Sequence, residues 1–266
     1  EAITWLNGLL AQAHADAPTV GRAWALSAAA ALRASTGDNT TVYAQGSEAL
    51  ALARRLGDAP TLANALHVLG TLDVALSPPD ALLQEDSVRH LVEAMELRRT
   101  HHDPAGTALT VDYMGFRLLR NRDYAGALPY FQEGLRLGQS LPDHWTTGMA
   151  LLGMAEATYL LGDIAAAQTL AARSLDHHQA LGDQHGSGHV LGLLGDLAQA
   201  AGDLAAAKAY YDKSMRTLRV MGEAPRNVRT LWALAPLAAA LGDLERALTL
   251  AGAAVTLSQT ALVSPY

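Results

Sequence analysis

The stretch Gly195-Asp196-Leu197-Ala198-Gln199-Ala200-Ala201-Gly202-Asp203-Leu204-Ala205-Ala206-Ala207 ends one helix at Gly202 and opens another at Asp203. Glycine enters the left-handed conformation that stops a helix without a steric penalty, and an aspartate directly after it accepts the free amide protons of the next helix. The same dipeptide stands at Gly37-Asp38, Gly57-Asp58, Gly162-Asp163, Gly182-Asp183 and Gly242-Asp243. The steps between these marks are 20 residues or multiples of 20, except in the middle of the chain, where the register slips. Between them lie Ala, Leu, Arg, Glu and Gln, all good helix formers, with no strand-like alternation. A 20-residue beat that pairs into 40 predicts an all-α array of stacked helical hairpins.

Composition agrees with that reading. Half of the 266 residues are apolar but only 5% are aromatic, so close helix contacts must be made by Ala, Leu and Gly. There is no cysteine, hence no disulfide and no thiol chemistry, and no apolar run long enough to span a bilayer. The net charge is −7, and lysine occurs only at Lys208 and Lys213, without a basic run. Duplex binding needs a positive footprint, so no direct nucleic-acid contact is expected of this segment. The opening Glu1-Ala2-Ile3-Thr4-Trp5 carries no basic leader or initiator Met, which reads as the interior of a larger cytoplasmic protein.

Catalytic and metal chemistry find little support. No phosphate loop of the form G-x-x-x-x-G-K-[S/T] is present, and Gly186-Ser187-Gly188 has neither the spacing nor the context of a nucleophile elbow. His185 and His189 are four apart but lack the glutamate of a zinc-protease helix, and the pairs His101-His102 and His177-His178 fall near hairpin ends. Solvated histidines are the expectation for all of them. No catalytic residue, metal ligand or cofactor is assigned, and the chain is expected not to be an enzyme.

Superposing the repeats gives a finer register. Gly195, Ala207 and Ser214 recur as Ala155, Ala167 and Ser174, as Gly115, Ala127, Phe131 and Gly134 around the turn Asn121-Arg122-Asp123-Tyr124, and as Ala235, Ala247 and Ala254. Gly70 with Ala94, and Ala30 with Ala49, fit the same places. This pattern resembles the tetratricopeptide repeat, in which small residues sit where paired helices cross. Units near 40 residues, longer than the standard 34, are closer to kinesin-light-chain-like repeats. The resemblance implies a right-handed superhelical solenoid in one domain, with residues 1–15 as a helix from a preceding unit and repeats at about 21–60, 61–105, 106–140, 146–185, 186–225 and 226–264. Ser77-Pro78-Pro79-Asp80 interrupts the beat, with roughly five extra residues in that loop. Gly195 is placed at a helix crossing, whereas Gly186, near a hairpin end, is expected to tolerate alanine.

Two longer phrases, Ala44 to Asp58 and Leu234 to Ala254, resemble the C-terminal helical arrays of bacterial signal-transduction ATPase regulators of the LuxR/MalT/AfsR-like type. That resemblance implies a ligand- or protein-binding sensor segment of a transcriptional regulator, located in the cytoplasm. A peptide-pheromone receptor or free-standing scaffold is the first alternative and an enzyme the second. In a tetratricopeptide-like array the first helix of each hairpin lines the groove. Carried over by register, the groove positions are Trp24, Asn64, His67, Asp112, Tyr113, Phe116, Arg120, Glu156, Tyr159, His189, Asp196, Gln199, Arg229 and Trp232. Aromatic faces with a few polar groups suit a peptide, a small molecule or a protein segment. Asp112, Glu156 and Asp196 make the middle of the groove acidic, favouring a cationic or hydrogen-bond-donating partner. Apolar residues at both ends, Trp5 and Leu9 at one and Leu248 and Val255 at the other, lead us to expect cover by further chain or by a second copy.

Overall fold

The computed structural model describes residues 2–11, 17–33, 39–75, 81–142, 145–220 and 228–261. All regular structure among them is helical. The chain forms two compact units, residues 1–114 and 115–266. Unit 1 holds α1 (Ala2–Leu10), α2 (Val20–Arg33), α3 (Asn39–Leu56), α4 (Ala59–Ala75), α5 (Ala81–Thr100) and the larger part of α6 (Pro104–Arg120). Unit 2 holds the end of α6 with α7 (Tyr124–Gln139), α8 (Thr146–Leu160), α9 (Ile164–Ala180), α10 (Gln184–Ala200), α11 (Leu204–Val220), α12 (Val228–Ala240) and α13 (Leu244–Ala261).

The turns explain the spacing. Gly57, Gly162, Gly182, Gly202 and Gly242 all have positive φ, between 67° and 96°. After Gly182 the Asp183 amide donates back to the His178 carbonyl at 2.8 Å, and the Asp183 carboxylate accepts from the Gly186 amide at 3.0 Å. Asp163, Asp203 and Asp243 cap Ala166, Ala206 and Arg246 in the same way. The beat continues upstream where glycine is missing. His102 and Arg122 take φ of 55° and 62°, and Asp103 and Asp123 behind them cap Gly106 and Gly126. Positions 102, 122, 162, 182, 202 and 242 therefore keep one phase, and the slip lies between Gly57 and His102. The Gly37-Asp38 turn and the interruption at Ser77 to Asp80 lie outside the described residues.

Each unit has its own core. In unit 1, Ala23, Leu26, Ala30, Val42, Ala49, Leu66 and Ala94 are buried together. In unit 2, consecutive helices from α7 to α13 pack in sequence, and α10 touches α8 and α12 as well as its chain neighbours. Packing there is set by pairs of sizes. Gly195 lies so close to the Tyr211 ring that a β-carbon would fall 2.4 Å from it, while Phe131 fills the equivalent place against Gly115 and Gly153. One register step from each, Ala155 and Ala171 share the place and are both fully buried. A second recurrence ties each hairpin: the Ser174 hydroxyl donates to the Gly148 carbonyl, and 40 residues later Ser214 donates to Gly188, both at 2.7 Å.

Candidate functional site

Five of the groove positions fall in unit 1. Trp24 is exposed and Asn64 half-buried, but His67 is buried in a polar cluster that fastens α4, α5 and α6. The Arg98 guanidinium, itself 7% exposed, donates from Nη1 to the Gly106 carbonyl and to Thr110 Oγ1, both at 2.6 Å. Thr110 Oγ1 also lies 2.9 Å from the Gly106 carbonyl and 3.3 Å from His67 Nδ1, so its single proton serves one of them at a time. Tyr113 packs edge-on against His67 at 5.2 Å. Burial, reinforced by the Arg98 charge, lowers the His67 pKa to about 3, and the ring is neutral at physiological pH. Asp112 has no exposed surface, and neither carboxylate oxygen has a hydrogen-bond partner. Desolvation pushes this carboxyl well above the ordinary range, and staying protonated is how a buried acid avoids the cost of an unpaired charge.

Nine positions fall in unit 2. Phe116 belongs to the core, stacked edge-on to Phe131 at 4.9 Å, and Arg120 is exposed. Glu156 and Tyr159 on α8, His189, Asp196 and Gln199 on α10, and Trp232 on α12 are half-buried; Arg229 lies in α12, its side chain outside the described residues. Glu156 and Asp196 occupy one register position in successive hairpins, as do Tyr159 and Gln199. Asp196 is anchored, because the Tyr211 hydroxyl donates to its Oδ1 at 2.6 Å, with Gln199 Oε1 3.3 Å from the same hydroxyl. Beside this pair is a cleft of about 20 Å³ bounded by His189, Gly192, Ser214 and Thr230, room for one water.

The histidine expectation needs correction. His178 is fully buried, not solvated: its Nδ1 lies 2.8 Å from Asp183 Oδ2, and Gly148 and Gly186 approach its ring so closely that a β-carbon on either would fall within 2.6 Å of a ring nitrogen. Burial lowers its pKa and Asp183 opposes that shift without cancelling it. Asp183 thus both caps α10 and orients His178. The expectation that Gly186 tolerates alanine fails for the same reason, since Gly186 supplies the space the imidazole occupies. His185 and His189 do meet on one helix face, ring centroids 4.7 Å apart. Among the described residues no group of three or more His, Cys, Asp or Glu is placed to hold a metal ion, and no helix is long and apolar enough to cross a membrane.

Arg98, Thr110, His178 and Tyr211 were not found by reading the sequence. Tyr211 had a signal, a large ring in register opposite a glycine, whereas nothing in the sequence marks Arg98 rather than Arg99 as the buried one of two adjacent arginines.

Comparison with known proteins bears on this geometry. Residues 146–219, α8 to α11, match the tetratricopeptide repeat. Repeats of this kind form scaffolds for protein–protein interaction, which is the general role of the matched stretch. No curated protein matches the chain. Among solved structures, aspartyl phosphate phosphatase F from Bacillus subtilis superposes with a TM-score of 0.72 at 14% identity, covering 100% of this chain and 66% of that one. A signal transduction ATPase with numerous domains and a tetratricopeptide repeat sensor, from Pyrococcus horikoshii, superposes at 0.62 and 13% identity. It is covered over 38% of its length by 96% of this chain. BtubC from P. vanneervenii superposes at 0.60 with 21% identity, over 83% of this chain and 88% of that one. At these identities the likeness shows the fold: an all-α array of tetratricopeptide-like helical hairpins.

Proposed function

From the tetratricopeptide stretch at 146–219, we propose that the α8–α10 face of unit 2 is the partner-binding surface of a sensor segment, in a bacterial transcriptional regulator or signal-transduction ATPase. The observation that carries this reading is the pairing of Glu156 with Asp196. They are carboxylates at one register position of successive first helices, half-buried, with Tyr159, His189 and Gln199 around them. Two acids on a partly desolvated face favour a cationic side chain, and the neighbouring rings supply apolar contact for its stem. Asp112, inaccessible and favouring its neutral form, is left out of this surface.

The sensor assignment is supported by the likeness to the Pyrococcus horikoshii signal transduction ATPase, a protein described as having a tetratricopeptide repeat sensor. A receptor or scaffold standing alone is the competing reading. An ATPase module in the gene beside this segment decides for the first.

The surface is tested with arginine amide as a cationic probe, followed through backbone amide shifts. Saturable shifts confined to α8 and α10, abolished in a Glu156→Gln/Asp196→Asn variant whose circular dichroism is unchanged, are the expected result. Shifts that persist in that variant, or that map elsewhere, remove the assignment.

A further inference from the structure

A ligand-sized hollow of unit 2 lies away from the face just described. An open basin of about 590 Å³ lies between the end of α7, the start of α8 and the outer side of α9. Its walls include Gln139, Leu141, Thr147, Leu151, Arg173 and His177. The cleft beside Asp196 measures about 20 Å³. Drug-sized ligands occupy sites of about 300–1,000 Å³.

The basin has a cause in the sequence. One register step later Gly182 has φ of 67°, which lets Asp183 follow at once and cap α10 from Gln184. Here the equivalent residue is Pro142, whose ring holds φ near −65° and forbids that turn. α7 ends at Gln139, one position earlier in the register than α9 at Ala180, and α8 begins only at Thr146, two positions later than α10. The side chain that fills the corresponding interhelix space later, His178, is replaced by Gly138, against which Thr146 and Thr147 pack.

The lining has a definite chemistry. Arg173 and His177 are one turn apart on α9, and Thr147, 8% exposed, lines the floor beside Leu141 and Leu151. A guanidinium fork and a hydroxyl lining one basin can both donate to a carboxylate, and the two leucines on the same lining match an aliphatic group next to it. Asp176, also on the lining, places a negative charge near Arg173 and disfavours a dianion such as phosphate. We propose that this basin is a second binding site, separate from the α8–α10 face, for a monoanionic carboxylate that carries an aliphatic group. A free branched-chain acid and the C-terminus of a peptide share that chemistry.

The test is a titration of the whole chain followed by backbone amide shifts. The probes are N-acetylleucine, its carboxamide, and a tetrapeptide ending in leucine. Shifts grouped at Gln139 to Leu151 and Arg173 to His177 are expected with the acid and not with the carboxamide. Stronger binding by the tetrapeptide identifies a peptide end as the source, and equal binding identifies the free acid. Arg173→Gln, at an exposed position and so compatible with folding, is expected to weaken the acid at least about tenfold. Asp196→Asn should leave it unchanged, which separates this site from the one proposed above. Equal response to acid and carboxamide, undiminished binding by Arg173→Gln, or no response near the basin overturns the proposal.

Discussion

The hairpins α8–α9 and α10–α11 are 40 residues apart in sequence, share the serine-to-glycine carbonyl bond, and differ where their helices cross. The first crossing is made by Ala155 and Ala171, the second by Gly195 and Tyr211. The two pairs differ in total size as well as in its distribution, since a glycine with a tyrosine is far bulkier than two alanines. A ring in the second helix goes with a glycine in the first, Tyr211 with Gly195 and Phe131 with Gly115, a pairing that a consensus read one position at a time misses. The second hairpin gains from its asymmetry, because the tyrosine hydroxyl reaches out of the crossing to hold Asp196.

The largest expected effect breaks that crossing. Gly195→Leu puts side-chain atoms where the Tyr211 ring stands, and we expect a loss of about 3 kcal/mol in urea unfolding. Pairing Gly195→Ala with Tyr211→Ala rebuilds the composition of the first crossing, so its cost should fall below the sum of the single changes. Strict additivity would show that the two positions do not share one space.

Next in size is Gly186→Ala, expected to cost about 2 kcal/mol because the new carbon lies 2.2 Å from His178 Nδ1. No equivalent penalty should follow Gly192→Ala, whose added carbon would meet only Ser214 Oγ and Thr230 Oγ1 at ordinary contact distance. Similar melting temperatures for the two variants would contradict the close approach at His178.

His178 and Leu218 occupy one register position, and exchanging the first for the second sharpens the comparison by pH. The folded pKa of His178 lies below the ordinary 6.5, so the unfolded chain binds the proton first as pH falls. Stability is lost from about pH 6.5 down to the folded value, and His67 adds a loss that continues to about pH 3. His178→Leu should flatten the upper part of this dependence by up to one proton, about 1.4 kcal/mol per pH unit. An unchanged slope in equilibrium unfolding from pH 6.5 to 4 would mean that His178 is not the group responsible.

The smallest effect tests what the two hairpins have in common. Ser174→Ala and Ser214→Ala each remove one hydrogen bond to a glycine carbonyl, and each should cost about 1 kcal/mol in chemical denaturation. A difference beyond error between them would show that the shared register does not make the bonds equivalent.

The helical hairpins were legible because their signals are local. A glycine that must take positive φ and an aspartate that caps the next turn act within a few residues, so their spacing reports helix length directly. The turns at His102 and Arg122 could be placed near hairpin ends but not joined to the glycine beat, because neither residue type announces positive φ, although the aspartates behind them kept the phase. The groove positions could be numbered from the register, but their surroundings could not. Asp112 and Glu156 are both acids on first helices, and only packing made one inaccessible and left the other half-buried.

The sequence by itself determined the all-α class, the 20-residue beat and the Gly195 crossing, since each follows from backbone conformation or side-chain size within one hairpin. Tertiary structure alone decided that Arg98 turns inward to Thr110 and Gly106, that Asp183 serves both a helix end and a buried imidazole, and that residues of α7, α8 and α9 line one open basin. Each of these depends on what a second and a third helix bring within a few ångströms, and a linear pattern encodes spacing along the chain but not the distance across it.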